Sequence, residues 1–322
     1  MKKTLLALAV PALLAAGSAS AGVTLYDQDG VFVDLSAAAE VQYFQAIQKD
    51  TSNDDAGFHL DDGDLALNTT IALTGDLNAV AGIGFAFEKS DVTNDDLWVG
   101  LSGDFGTFTF GRQLLISDDA GVGKDYELGF EQISFGDTEG SETVKYVFDN
   151  GQFYFGLSHD LDAEGAKGAT DFLNTNGTIT DGRLGARFGD LDVRAYFYTS
   201  ETASTAATKQ ENEAFNLEGA YNMGAFSFAA SYGEVEVKKG GSVDEDTSLI
   251  ELNGSYTMDR TTFALGYNRA DQDKANNTID NVYANVTQQL HSNVKVYAEV
   301  GYADADNADY DFGYLAGMEV KF

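Results

Sequence analysis

Alternation of apolar and polar residues runs through most of this chain and limits the folds open to it. In the final stretch, DFGYLAGMEVKF, every second residue from Phe312 to Phe322 is apolar, and the residues between them are charged or glycine apart from Leu315. A period of two residues is the pattern of a β-strand with one apolar and one polar face. Such a strand needs an apolar phase on one side and water on the other.

The same pattern recurs in sixteen segments of about 8 to 14 residues, close to the ~9 to 11 residues of a tilted membrane-spanning strand. The predicted strands are 31-45, 62-74, 78-89, 95-102, 107-113, 141-148, 152-160, 182-189, 191-199, 213-223, 225-237, 246-257, 261-270, 279-290, 293-303 and 310-322.

The connections between these segments alternate in length. Tight turns such as 74-76 and 149-151 alternate with longer polar loops such as 51-57, 164-180 and 200-212. Short turns at one end and long loops at the other are typical of an up-and-down barrel in an outer membrane. The polar faces carry so many charges that they must face water, and sixteen strands enclose a lumen wide enough to hold it. We predict an all-β fold, a 16-stranded antiparallel transmembrane β-barrel with short periplasmic turns and long extracellular loops.

The N-terminal residues predict export. Residues 1-21 combine Lys2 and Lys3, an apolar middle and a small-residue cleavage site, which is the pattern of a signal peptide. Residues 22-322 show no linker and no shift in composition, so they are predicted to form one barrel domain. The chain has no cysteine, and its only proline is Pro11, inside the predicted signal. A proline-free mature chain favours continuous strand ladders.

The composition argues against several functions. The net charge of -33 disfavours nucleic-acid binding, because a polyanion repels phosphate. Catalysis is not expected, since the histidines are only His59, His159 and His291 and no G-x-S-x-G motif is present. The acidic stretch 304-311 lacks the residue order of an EF-hand, so no cofactor or dedicated metal site is predicted. We expect that stretch to be a solvated loop, or to be bridged loosely to lipopolysaccharide phosphates through divalent cations.

Several motifs, in order, carry a family resemblance. The start GVTLYDQDGVFVDLSAAAEVQYF, the segment GDFGTFTFGRQ, the segment SETVKYVF and the terminal Phe322 resemble the trimeric general-diffusion porins of Gram-negative outer membranes. The resemblance covers essentially the whole mature chain. It implies a homotrimer in outer-membrane lipid, a third loop folded inward to narrow the lumen, and Phe322 as the assembly signal read by the barrel assembly machinery.

The resemblance also indicates candidate pore residues. The third loop corresponds to 114-140, and its acids would form the pore constriction; they are Asp118, Asp119, Asp125, Glu127 and Glu131. Basic residues predicted on the lumen wall are Lys145, Arg183, Arg187, Arg194 and Lys295. The family's arginines come largely from early strands, where this chain has acids instead, so a more uniformly negative lumen is expected. Arg112 has the parity of the outward residues and is a candidate trimer contact.

These observations predict a passive outer-membrane pore for small hydrophilic solutes and ions that favours cations and is constricted by the acidic loop 114-140. Two alternatives remain open at this stage. One is a substrate-specific channel, and the other is a barrel that acts mainly as an adhesin or receptor through its loops.

Overall fold

The computed structural model describes residues 22–49, 55–87, 92–130, 137–161, 177–202 and 209–322. The predicted signal peptide 1-21 and Glu131 lie outside the described residues. The strands are β1 (Val23–Gln28), β2 (Val31–Gln45), β3 (Gly57–Leu60), β4 (Asp64–Thr74), β5 (Leu77–Ala86), β6 (Thr93–Gly103), β7 (Gly106–Leu114), β8 (Glu139–Asp149), β9 (Phe153–Asp160), β10 (Thr178–Phe188), β11 (Leu191–Thr202), β12 (Gln210–Met223), β13 (Phe226–Lys239), β14 (Ser242–Met258), β15 (Thr261–Gln272), β16 (Asn277–His291), β17 (Val294–Ala305) and β18 (Gly313–Lys321). A short 3₁₀ helix, η1, spans Ile116–Asp119.

The strands close into one antiparallel barrel. Each strand from β4 to β18 pairs with its neighbour in sequence, and β2 pairs with both β18 and β4, which completes the ring. β1 pairs with residues 31–35 of β2, whereas β18 pairs with residues 38–45 on the same side. β1 therefore continues β18, and β3 likewise pairs with β2 beyond the end of β4. The eighteen described segments form the sixteen barrel strands that the alternation predicts.

Large apolar side chains cover the outside of the barrel. Val99, Leu184 and Val300 are 61%, 69% and 56% exposed, whereas Glu299, next to Val300, is 1% exposed. This exposure pattern reverses that of a water-soluble protein and fits strands that face lipid outside and polar groups inside. Among the residues that the structure describes, no helix is long and apolar enough to cross a membrane.

The sequence prediction needs two corrections. β1 and β3 were not predicted, because each is a short segment that completes a neighbouring strand and carries little alternation of its own. The gap left between 225-237 and 246-257 is also not a loop. β13 and β14 run on to a two-residue turn, Gly240 and Gly241, with φ of 58° and 79°. Positive φ at both positions is the geometry of a tight hairpin turn that glycine adopts without strain.

Candidate functional site

The segment between β7 and β8 lies against the inner face of the barrel, and we call residues 115–130 the inner loop. Its backbone N–H groups donate to inward-facing side chains of several strands. Ile116 N donates to Ser158 Oγ on β9 at 2.8 Å, and Ser117 N donates to Asp181 Oδ2 on β10 at 2.5 Å. Further along, Gly121 N donates to Glu218 on β12, and Val122 N donates to Glu251 Oε2 on β14 at 3.1 Å. The inner loop therefore crosses the inside of the barrel rather than extending into solvent.

The tip of the inner loop is held by one carboxylate. Glu299 on β17 accepts the N–H groups of Tyr126, Glu127 and Leu128 at 2.8, 3.0 and 2.8 Å. Asn281 Nδ2 donates to the carbonyl of Leu128 at 2.9 Å. Buried backbone groups need partners, and here the barrel wall supplies those that a non-helical segment cannot supply itself.

Apolar packing fixes the same segment. Leu115, Ile116 and Leu128 are each 1% exposed. Leu128 fills a space beside two glycines, since a Cβ at Gly301 would lie 2.6 Å from Leu128 Cβ and a Cβ at Gly313 would lie 2.6 Å from Leu128 Cδ2. The Tyr126 ring stacks on Tyr297 with ring centroids 3.6 Å apart.

The predicted constriction acids lie on this loop but are engaged by protein groups. Asp119 forms an ion pair with Arg183. Asp118 Oδ1 accepts from Thr138 Oγ1 at 3.0 Å, and Asp125 Oδ2 accepts from Gly129 N at 2.9 Å. Glu127 Oε1 accepts from Gln42 Nε2 at 3.3 Å. These carboxylates shape the loop as well as carrying charge.

Two of these acids hold protons at unusually high pH. Burial, aided by the Asp61 carboxylate, raises the pKa of Glu127 to about 8. Burial, aided by the Glu299 carboxylate, raises the pKa of Asp125 to about 6. Both shifts have the physical cause expected of carboxyls that leave water and meet like charge. Near neutral pH, Glu127 therefore contributes less negative charge than its residue type suggests.

The predicted basic residues face inward, and each one has a partner. Lys145 Nζ donates to the Leu114 carbonyl at 2.8 Å, and Arg194 Nη2 lies 2.7 Å from Glu218 Oε2. Arg187 Nη1 lies 2.9 Å from Asp149 Oδ2, and Lys295 Nζ lies 2.7 Å from Glu319 Oε2. With Arg183 paired to Asp119, none of the five is an isolated positive charge.

The stretch of wall from β2 to β7 carries acids with almost no bases. Strands β2 and β4–β7 contain five acidic residues and a single basic one. The acids are Asp34, Glu40, Asp64, Asp95 and Asp96. The base is Arg112, which pairs with Leu97 in the outward-facing set and donates from Nη1 to Asn94 Oδ1 at 2.7 Å. This part of the wall, five of the sixteen barrel strands, is therefore rich in acids.

The sequence missed the residues that hold the inner loop. Asp181, Glu218, Glu251 and Glu299 all accept loop N–H groups and are between 0% and 6% exposed. In the sequence each of them is an acidic residue at an inward-facing position of a strand. Any strand whose inner face meets water can have such a residue, so the pattern is not specific to loop binding. The identity of their partners depends on the path of the loop, and alternation does not encode that path.

One carboxylate cluster has the geometry of a cation site. Oxygens of Glu40, Asp62 and Glu319 lie within 4.8 Å of one another. However, Glu319 already lies 2.7 Å from Lys295 Nζ and 2.8 Å from Lys321 Nζ. Two ammonium groups at this distance supply the positive charge that a metal ion would supply, so the residues present do not fit a metal.

A closed sixteen-strand barrel with an apolar exterior, a charged interior and an internal loop defines an outer-membrane channel. The chain belongs to the Gram-negative porin family, whose model matches residues 5–308. It is 50% identical to porin-like protein H of Photobacterium profundum over the full length of both chains.

Two solved structures share the fold. The trimer form of OmpT, an outer-membrane protein of Vibrio cholerae, has 21% identity, a TM-score of 0.76 and coverage of 91% of this chain and 100% of its own. The anion-selective porin from Comamonas acidovorans has 17% identity, a TM-score of 0.76 and the same coverage. The protein is an outer-membrane pore.

Proposed function

We propose that this porin is a passive, cation-selective pore for small hydrophilic solutes and ions, constricted by loop 114-140. The observation that carries the proposal is the path of the inner loop across the lumen, opposite a wall whose acids outnumber its bases. Solutes would pass between the inner loop and that wall, down their own concentration gradient. Neither an energy source nor a cofactor is required, and membership of the porin family points to a channel rather than an enzyme.

The proposed selectivity rests on which charges remain uncompensated. Acids that line a narrow aqueous path in a low-dielectric wall raise the local concentration of cations and repel anions. The inward bases are engaged by carboxylates or a carbonyl, so they offer little attraction to anions. The anion-selective relative with the same fold supports the view that wall residues, not the fold, set the sign of selectivity.

We also propose a homotrimer, supported by the family and by the trimer form of OmpT. Arg112 is the candidate contact because it has outward parity, although its guanidinium already reaches Asn94 within the same chain. Phe322 remains the proposed assembly signal for the barrel assembly machinery. Lipopolysaccharide is a further proposed partner, which the acidic loops would contact through divalent cations.

Single-channel recording in a planar lipid bilayer tests the proposal. We expect current steps in groups of three and a reversal potential of cationic sign across a KCl gradient. A folded barrel, recognised by its altered gel mobility after heating, that gives no conductance would contradict the pore reading. A reversal potential of anionic sign would contradict the cation selectivity alone.

A further inference from the structure

The only tryptophan of the chain faces the lumen on the wall opposite the inner loop. Trp98 lies on β6 and pairs with Gly82 on β5 and Gly111 on β7, within the inward-facing set of each strand. Its neighbours in sequence, Leu97 and Val99, are 55% and 61% exposed on the lipid side. The hydrogen bonds described above for the inner loop run to strands other than β5 and β6.

The indole of Trp98 packs over the backbone of a glycine. A Cβ at Gly82 would overlap Cε2 and Cζ2 of Trp98, so the ring lies directly over the Gly82 backbone. Trp98 is partly exposed, and with one face of the indole against the sheet the exposed part lies on the lumen side. Gly111, on the opposite side, adds no side chain that could cover it. A large aromatic ring on a strand of a water-filled wall would otherwise be screened by its cross-strand neighbours.

A carboxylate lies beside the ring. Asp96 is two residues before Trp98 on the same strand, which places both side chains on the same side of the sheet. It pairs with Gly84 on β5, where a Cβ would lie 3.0 Å from Asp96 Cβ. The space next to the carboxylate is therefore also cleared by a glycine.

Neither group forms a hydrogen bond or a close ion pair with the part of the protein that the structure describes. Within the described residues, the Asp96 carboxylate accepts no hydrogen bond and joins no ion pair, and Trp98 has no cation over its ring and no acceptor for its indole N–H. Lys145, the inward base on β8, acts on Asp96 only at longer range, and its ammonium group donates to the Leu114 carbonyl. Buried or half-buried indole N–H groups usually have a partner, so an unpaired one on a lumen wall points to water or a ligand.

We propose that Trp98 and Asp96 form a binding subsite for small organic cations inside the pore. An aromatic face attracts an alkylated ammonium group through the ring quadrupole, and a carboxylate beside it adds ion pairing. The proposal builds on the proposed function, because it needs solute to reach the wall through the lumen. It narrows the class of favoured solutes from cations in general to those with an apolar cationic head.

Intrinsic fluorescence tests the subsite directly, because the chain has a single tryptophan and every change in indole emission reports on Trp98. The full barrel in detergent micelles is titrated with choline at constant ionic strength, and separately with 3,3-dimethyl-1-butanol, the uncharged isostere of choline. We expect a saturable change in emission with choline and none with the alcohol. A change that never saturates, or equal saturation by the alcohol, would overturn the proposal.

A pair of matched variants isolates the carboxylate. Asp96→Asn removes the charge and keeps the fluorophore, whereas Asp259→Asn removes one charge from an exposed turn at positive φ, which asparagine tolerates. We expect Asp96→Asn to weaken choline binding about fivefold, the effect of losing one exposed ion pair, and Asp259→Asn to leave it unchanged. Equal choline binding by both variants would overturn the role of Asp96. Because the titration does not depend on conductance, saturable binding by a barrel that is silent in bilayers would separate this proposal from the pore proposal.

Discussion

Individual carboxylates in this barrel differ in what they contribute to the lumen. Glu299 accepts hydrogen bonds from three loop N–H groups, and the charge of Asp119 is balanced by the ion pair with Arg183. Asp96, by contrast, has no hydrogen-bond donor and no close ion-pair partner within the described residues, although Lys145 acts on it at longer range. A charge that is paired within ~4 Å presents little field to a passing ion, whereas an unpaired charge beside water presents most of its field. The number of acids therefore overstates the number that act on solutes.

Glu127 is predicted to make selectivity depend on pH. Its pKa of about 8 means that it gains a negative charge as the pH rises from 6.5 to 9. We expect the cation-to-anion permeability ratio of the unmodified protein to rise across this range, and Glu127→Gln to remove most of the rise. The two proteins should agree at pH 6.5, where Glu127 is already neutral. Reversal potentials in a KCl gradient measure the ratio, and a large difference at pH 6.5 would contradict the raised pKa.

At the scale of elements, the inner loop is a non-helical segment that depends on the strands around it. Wall carboxylates accept its N–H groups, and the Gly301 and Gly313 positions make room for Leu128. Without these groups, the segment would leave buried polar atoms unpaired, at a cost of about 1–3 kcal/mol each. Its position is therefore set by residues on at least four different strands.

Gly301→Val is predicted to displace the loop tip. The added side chain would occupy the place of Leu128 and destabilise the barrel by about 1–3 kcal/mol through overpacking. We expect a lower midpoint for the heat-induced mobility shift on gels and more open-channel current noise. Gly219→Val is the control, because a Cβ at Gly219 meets no atom within 4 Å. Similar behaviour of the two variants would show that Leu128 does not anchor the loop.

These elements also show how far the sequence alone could lead. Alternation predicted the sixteen barrel strands and the outward parity of Arg112, because a period of two residues is a local property of the chain. It could not reveal that β1 and β3 complete other strands, since that depends on pairing between distant segments. The assignment of the acids of 114-140 to the constriction came from the family resemblance, and alternation alone did not identify Asp181, Glu218 and Glu251 as acceptors of the loop N–H groups. The path of the loop across the barrel decides those contacts.

The whole molecule carries a net charge of -33, and only part of it lies where ions pass. Acids of the exposed turns, such as Asp104 and Asp259, lie in bulk solvent, where salt screens them. Screening lengths fall from ~10 Å at 0.1 M salt to ~3 Å at 1 M. Selectivity that arises from wall charges across an aqueous gap must therefore weaken as salt increases.

We expect the cation-to-anion permeability ratio to fall toward unity when the mean KCl concentration is raised from 0.1 to 1 M. The flux of an uncharged sugar into liposomes, measured by swelling, is the control and should change little, because size alone limits it. A permeability ratio that stays constant over this range would indicate direct binding rather than the electrostatic mechanism.

The N-terminal strand β1 and the C-terminal strand β18 together form one strand of the barrel, and this arrangement affects how the barrel can fold. β1 and β18 lie end to end along β2, and Phe322 exchanges hydrogen bonds with Ala37 at 2.9 and 2.7 Å between them. These contacts join residues separated by nearly the whole chain, so they have the highest contact order in the molecule and the greatest loop-closure cost. We therefore expect closure to be a late step of folding, and a chain without β18 would keep an unpaired edge along residues 38–45 of β2. Such a chain would be exposed to aggregation or proteolysis until β18 covers that edge of β2.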